Sequence, residues 1–360
     1  MKLPRITILA TLLLTVPAAA QLQITPPATT PSPPAEKPKP KPHALTNKKE
    51  AAPAPKPSAS PKPAPSSKPA PAATVIPAPP TDNSNVDLVF GAYQRGQYKT
   101  AFELATARAQ GGDPKAMTML GELYSNAMGI RRDYAKAQEW YKRAADAGDR
   151  EAMFALAMLR MSGRGGPVDK GEAVKLMASA AKLGEPKAAY NLALLYLDGQ
   201  TLPQDVKRSA ELLRQAADGG LPEAQYALAT FYKEGTGVPK DPERAVRLLQ
   251  AATLADNVDA EVEYAIALFN GTGTPKNQPA AVALLRKASR QGSAIAQNRL
   301  AWVLINGMGT AVDKVEGFKW HLVAKTAGKG DPELDKQLSD LPAEDRAKAE
   351  AAAKKWLGTK

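Results

Sequence analysis

The sequence contains no cysteine. That excludes disulfides, thiolate metal sites and a cysteine nucleophile together, and it leaves packing alone to hold the fold. Histidine is nearly as scarce, with only His43 and His321. Neither a histidine-based metal cluster nor a Ser-His-Asp set is recognisable, so no catalytic, metal or cofactor-binding residue is assigned. Aromatic residues make up 6% of the chain, and residues 21–85 hold none. The apolar run Ile6 to Val16 spans 11 residues, well short of the ~20 a membrane-crossing helix needs. Charge is not concentrated either. Of the net +12, Lys2 and Arg5 supply +2, residues 21–85 supply +5, and the remaining +5 is spread over 275 residues. A diffuse excess favours solubility but lacks the clustered basic face of a nucleic-acid binder, so no nucleic-acid partner is expected.

What is present starts with an N-terminus patterned as a secretory signal. Lys2 and Arg5 form a positive region, Ile6 to Val16 an apolar one, and Ala18-Ala19-Ala20 a small-residue cleavage site. The expected product begins at Gln21 and has a periplasmic or secreted address, with no membrane span after cleavage. The alternative is an uncleaved anchor. Residues 21–85 follow as a Pro/Lys/Ala-rich linker holding 19 of the 32 prolines. Proline fixes φ and removes the N–H, so segments such as Lys37-Pro38-Lys39-Pro40 fit neither helix nor sheet. The expectation is a disordered, polyproline-II-rich segment whose lysines could make weak contact with an anionic cell wall. His43 lies inside it and is read as inert.

The rest of the chain is periodic. Ala116, Ala152, Ala188, Ala224, Ala260 and Ala296 form one column with a 36-residue step, and Ala144, Ala180, Ala216, Ala252, Ala288 and Ala324 form another. A fixed period of this size predicts an all-α solenoid of about six helix-turn-helix repeats over residues 112–328. Residues 86–111 read as a capping helical pair in which Val86, Phe90 and Tyr93 line one helix. Residues 329–360 read as C-terminal capping helices, the last from Pro342 to Leu357 with Trp356 and Leu357 over the exposed core end.

Two motifs invite a chemical reading and fail it. Gly-x-Gly recurs at Gly163/Gly165, Gly235/Gly237, Gly271/Gly273 and Gly307/Gly309, but between two helices, where a tight turn explains it better than a phosphate loop. The Asx column Asp133, Asp169, Asp205, Asp241, Asn277 and Asp313 precedes each second helix and reads as N-caps rather than catalytic carboxylates. Gly148, Gly184, Gly220, Gly292 and Gly328 suit left-handed C-caps; Asp256 breaks that column, with Asn257 as the expected substitute. His321 occupies an apolar column and reads as packed.

From the second repeat onward the first helix has a second, largely apolar face, two and six positions after its alanine; in the first repeat these positions are the polar Thr118 and Glu122. That face carries Phe154 and Met158, then Tyr190 and Leu194, then Tyr226, Val262 and Trp302. Two readings stay open. This face packs between adjacent repeats, or it lines a groove for a peptide or partner helix.

The pattern A-x-x-x-L-G-x-x-Y, then G-x-G-V, D-x-x-x-A-x-x-W and A-A-x-x-G is carried by Ala116, Leu120, Gly121, Tyr124, Asp133, Ala137, Trp140, Ala144, Ala145 and Gly148. It resembles the Sel-1-like repeat, a relative of the tetratricopeptide repeat. Departures fall at Arg160, Ser209, Gly317 and Tyr264. The resemblance implies a right-handed α-superhelix acting as an adaptor for proteins or peptides. It also implies that the first helices line the concave side, which would make Phe154, Met158, Tyr190, Leu194, Tyr226, Val262 and Trp302 the binding residues. Some secreted bacterial members regulate envelope signalling from the periplasm. A cysteine-rich branch is linked to penicillin binding and β-lactam hydrolysis, and its cysteines are missing here. The expectation is an exported, non-enzymatic interaction scaffold serving envelope signalling or assembly. The alternatives are a cell-wall-associated enzyme and a peptidoglycan-binding structural protein.

Overall fold

A computed structural model describes residues 84–358 of the chain. The signal, residues 21–83 of the linker and the Val86 side chain lie outside the described residues and side chains, while Ser84 and Asn85, assigned to the linker from sequence, begin the first helix. Among the described residues there are sixteen α-helices and no strand. The leading pair is α1 (Ser84–Gln94) and α2 (Tyr98–Gln110). Six pairs follow: α3 (Pro114–Asn126) with α4 (Tyr134–Asp146), α5 (Arg150–Ser162) with α6 (Lys170–Lys182), and α7 (Pro186–Asp198) with α8 (Val206–Asp218). Then come α9 (Pro222–Glu234) with α10 (Pro242–Leu254), α11 (Val258–Asn270) with α12 (Gln278–Arg290), and α13 (Ala294–Asn306) with α14 (Lys314–Thr326). The chain closes with α15 (Pro332–Ser339) and α16 (Ala343–Gly358). From α1 to α14 each helix packs on the next in sequence, the nearest-neighbour pattern of a solenoid.

Backbone bonds repeat with the same period. The N–H of each second-helix cap returns to the first helix: Asp133 to the Tyr124 carbonyl at 3.1 Å, Asp169 to Arg160 at 3.0 Å, Asn277 to Leu268 at 2.7 Å. The turn is thus closed by main chain, which is why Arg160 and Leu268 stand in for tyrosine without breaking it. The cap side chains then accept from the first turn of the second helix, as Asp133 does from Lys136 N–H and Asp313 from Glu316 N–H, each stabilising its helix by ~1 kcal/mol. A matching row caps the first helices at Asp113, Asp149, Glu185, Asn257 and Ser293.

The second alanine column sits at the other end of the same construction. Ala144, Ala180, Ala216, Ala252, Ala288 and Ala324 are fully buried, and their carbonyls accept the Schellman bond that ends each second helix, as from Asp149 N–H at 3.0 Å. In the fourth repeat Asp256 itself takes the left-handed conformation, with φ 56°. Asn257 is therefore not the substitute for the missing glycine; its side chain caps α11 through Ala260 N–H. In the turns, Gly273 (φ +69°) shows why the second glycine recurs: a Cβ there would lie 2.2 Å from the Pro242 carbonyl oxygen.

Two departures from the repeat pattern have packing explanations. A Cβ on Gly317 would meet Ile305 Cγ1 at 2.6 Å, so the glycine makes room for the larger neighbour. Ser209 is fully buried with its hydroxyl unpartnered, a polar group left in a seam that otherwise takes alanine. At the leading pair, Val89 and Ala92 are buried while Phe90 is 51% exposed, so the buried stripe lies one residue off the expected one. At the far end Trp356 packs edge-on against Trp320 with centroids 5.0 Å apart. Leu357 points out instead, because it lies one ~100° helical step beyond that contact.

Candidate protein-binding face

The alanine column of each first helix is buried. One ~100° step per residue then carries the positions two and six later to the opposite side. There the structure separates the seven expected residues. Phe154, Met158, Tyr190, Leu194 and Tyr226 are half-buried on α5, α7 and α9. Phe154, Tyr190 and Tyr226 flank the central core built from α6 to α11, and Met158 flanks a smaller cluster around Met177. Val262 and Trp302 are buried by the chain itself, at 4% and 7% exposure. Trp302 also donates its indole N–H to Asp331 at 3.0 Å, and its neighbour Asn298 donates to the Lys329 carbonyl at 3.2 Å. These two therefore offer no open surface to a partner. On α13 the packing reading of this face holds, because the stretch of chain entering α15 covers it.

Charge enters this face in the last repeats. Lys233 of α9 pairs with Glu263 of α11 at 2.7 Å. Burial raises the Tyr226 hydroxyl pKa above its ordinary value, and the carboxylates of Glu263, Asp259 and Glu234 add to that rise. Tyr190 is raised in the same way, by burial and then by Glu223. Both tyrosines stay neutral hydroxyls at physiological pH and present an apolar ring with a polar tip. Arg299 of α13 is buried, and burial lowers its pKa to about 10, with Glu263 partly opposing. Spacing by apolar columns missed these charged residues. The signal that could have found them is the column Met119, Ala155, Asn191, Ala227, Glu263, Arg299, where opposite charges replace small or neutral side chains in successive repeats.

Elsewhere, a cavity of about 540 Å³ opens beside α10 and the turn after α11, with Glu243, Arg247, Gln250, Tyr264 and Thr274 among its lining. It shares none of the seven residues. Tyr264 in its lining stands in a column that is otherwise leucine. His321 is fully buried and its Nε2 lies 2.8 Å from Asp335 Oδ1, in a contact that ties α14 to α15. Among the described residues no group of three or more His, Asp or Glu is arranged to hold a metal ion. No described helix is long and apolar enough to cross a membrane.

The fold has solved counterparts. A protective antigen present in uropathogenic Escherichia coli strains, displaying an SLR fold, superposes with a TM-score of 0.65 at 26% identity. That match covers 76% of this chain, and the chain spans only 60% of that protein. A Sel1 repeat protein from Oxalobacter formigenes superposes with a TM-score of 0.57 at 24% identity, over 68% of this chain and 97% of its own. No curated protein matches the sequence. The Sel1 repeat family matches six times in tandem, at residues 114–149, 150–185, 186–221, 222–257, 258–293 and 294–329. Each match runs from the start of one first helix to the start of the next. The chain belongs to the Sel1 repeat family.

Proposed function

We propose that this chain is an exported scaffold that holds a protein or peptide segment along the half-buried apolar face of α5, α7 and α9. Sel1 repeat proteins act as protein–protein interaction scaffolds, bind protein partners and are typically non-enzymatic. The observation that carries the location is that Phe154, Met158, Tyr190, Leu194 and Tyr226 remain partly open on three successive first helices. Large side chains half-covered in a row give a partner apolar area at low ordering cost, and tyrosine adds a hydroxyl for orientation. Phe154→Ala, Tyr190→Ala and Tyr226→Ala are expected to lose capture of a partner crosslinked in the producing cell, with melting temperature shifted little. A large fall in melting temperature at all three, with capture kept by whatever remains folded, would show that the face is core.

The export reading rests on Lys2, Arg5, the Ile6–Val16 run and Ala18-Ala19-Ala20. It puts the scaffold at the cell envelope, in signalling or assembly. N-terminal sequencing of protein recovered from the periplasm should start at Gln21; recovery of all the protein with an intact Met1 in the cytosol would remove the envelope role.

A further inference from the structure

Arg299 lies in the middle of α13 with 6% of its surface exposed. A guanidinium taken out of water is costly unless it is paired, and here no ion pair among the described residues includes it. Its Nε is sealed from solvent without a hydrogen-bond partner, while its two terminal nitrogens are not so sealed. The acids nearby are committed elsewhere. Glu263 pairs with Lys233 at 2.7 Å. Asp331 accepts from the Trp302 indole and caps α15 through Glu333 N–H. Glu263, tied to α9 through Lys233, is also the carboxylate that acts electrostatically on Arg299 of the next first helix. The half-open apolar row on α5, α7 and α9 is thus followed, two first helices further on, by a buried cation with no hydrogen-bond or ion-pair partner among the described residues.

We propose that Arg299 is a carboxylate anchor for the segment held along α5, α7 and α9. The inference rests on that reading of the face and names what its occupant must carry. A guanidinium presents parallel N–H donors in a fixed fork that matches a carboxylate, and burial of the stem fixes the fork before anything binds. A singly charged carboxylate suits the place better than a phosphate, because a second negative charge would meet Glu263. The desolvation cost carried by the free protein is relieved when the anion arrives, which couples occupancy to stability.

The test uses the full chain and small carboxylates, so it does not depend on the apolar face. The Arg299 Nε–H resonance is followed by NMR during titration with acetate, N-acetyl-leucine, N-acetyl-aspartate α-amide, N-acetyl-leucine amide and sodium chloride. A saturable shift is expected with the three carboxylates and none with the amide or chloride. A stronger response to N-acetyl-leucine identifies a C-terminal carboxylate, and a stronger response to the aspartate derivative identifies a side chain; either supports the anchor. Arg299→Met should abolish the response read at the Trp302 indole signal, weaken partner capture at least ~tenfold, and leave the melting temperature equal or raised. No saturable shift, an equal shift with the amide or chloride, or a fall in melting temperature in Arg299→Met would overturn the proposal. Tyr190→Ala should keep the acetate response. If it does while partner capture proves insensitive to Phe154, Tyr190 and Tyr226, the anchor stands and the apolar face fails.

Discussion

Helices α7 and α13 occupy the same place in their repeats, yet their second faces have different fates. On α7, Tyr190 and Leu194 are half-open. On α13, the corresponding Asn298 and Trp302 are buried, as is every residue from Ala296 to Ile305. The difference does not come from the helices, which share a length, a left-handed glycine C-cap and the alanine column. It comes from the next element of the chain. After the third repeat another first helix arrives in register; after the sixth the chain turns in at Lys329 and Asp331 and lays α15 and α16 over the end. A solenoid has no last neighbour, so an end must be covered or it exposes core. The same positions are therefore half-open on α7 and core on α13.

Substituting equivalent positions separates the two regions. Trp302→Ala removes a fully packed ring and its bond to Asp331, and should cost about 3–5 kcal/mol. Tyr190→Ala removes a half-buried ring and should cost around 1 kcal/mol. Chemical denaturation of both variants, with capture measured in parallel, checks the pair. Equal losses would mean that the middle repeats bury this face as completely as the last one.

The fold was open to reading because its determinants are local and periodic. Alanine columns, Asx caps and glycine turns recur every 36 residues, and each contact joins neighbours, so one repeat read correctly gives the others. The ends were harder. Phe90 and Leu357 follow the apolar pattern yet face solvent, because each sits one helical step off the side that is buried. Asp256 takes a left-handed conformation that sequence spacing assigned to its neighbour. The candidate face was legible as a column but not as a surface. Whether Trp302 is open depends on where Lys329 and Asp331 turn, and no periodicity specifies that. Arg299 was invisible for the opposite reason: a lone arginine in a repeat reads as solvated until the burial of α13 is known.

The smallest expected effect lies on the other side of the same cap. Asp335 of α15 receives Lys325 Nζ at 2.8 Å and His321 Nε2 at 2.8 Å, both from α14. Because the carboxylate accepts, Nε2 carries the ring proton, and His321 Nδ1 is buried without a partner. Lys325 first and His321 second hold the Asp335 pKa below its ordinary value. A depressed carboxylate contributes stability that is fully present above the unfolded pKa of about 3.9 and is lost as pH falls through the lower folded one. The fastening of α15 should therefore be constant near neutrality and weaken only below about pH 4. Asp335 is partly exposed, so solvent screening keeps the contribution under ~1 kcal/mol. Asp335→Asn retains an acceptor for His321 and removes the charge seen by Lys325. Its melting temperature should lie slightly below that of the unsubstituted chain at pH 7, and the two should converge by about pH 3. Amide exchange in α15 should follow the same course while exchange in α7 does not change. A gap that persists undiminished in acid would show that Asp335 holds the cap through shape rather than charge, and that the covered end, like the middle of the array, is kept by packing alone.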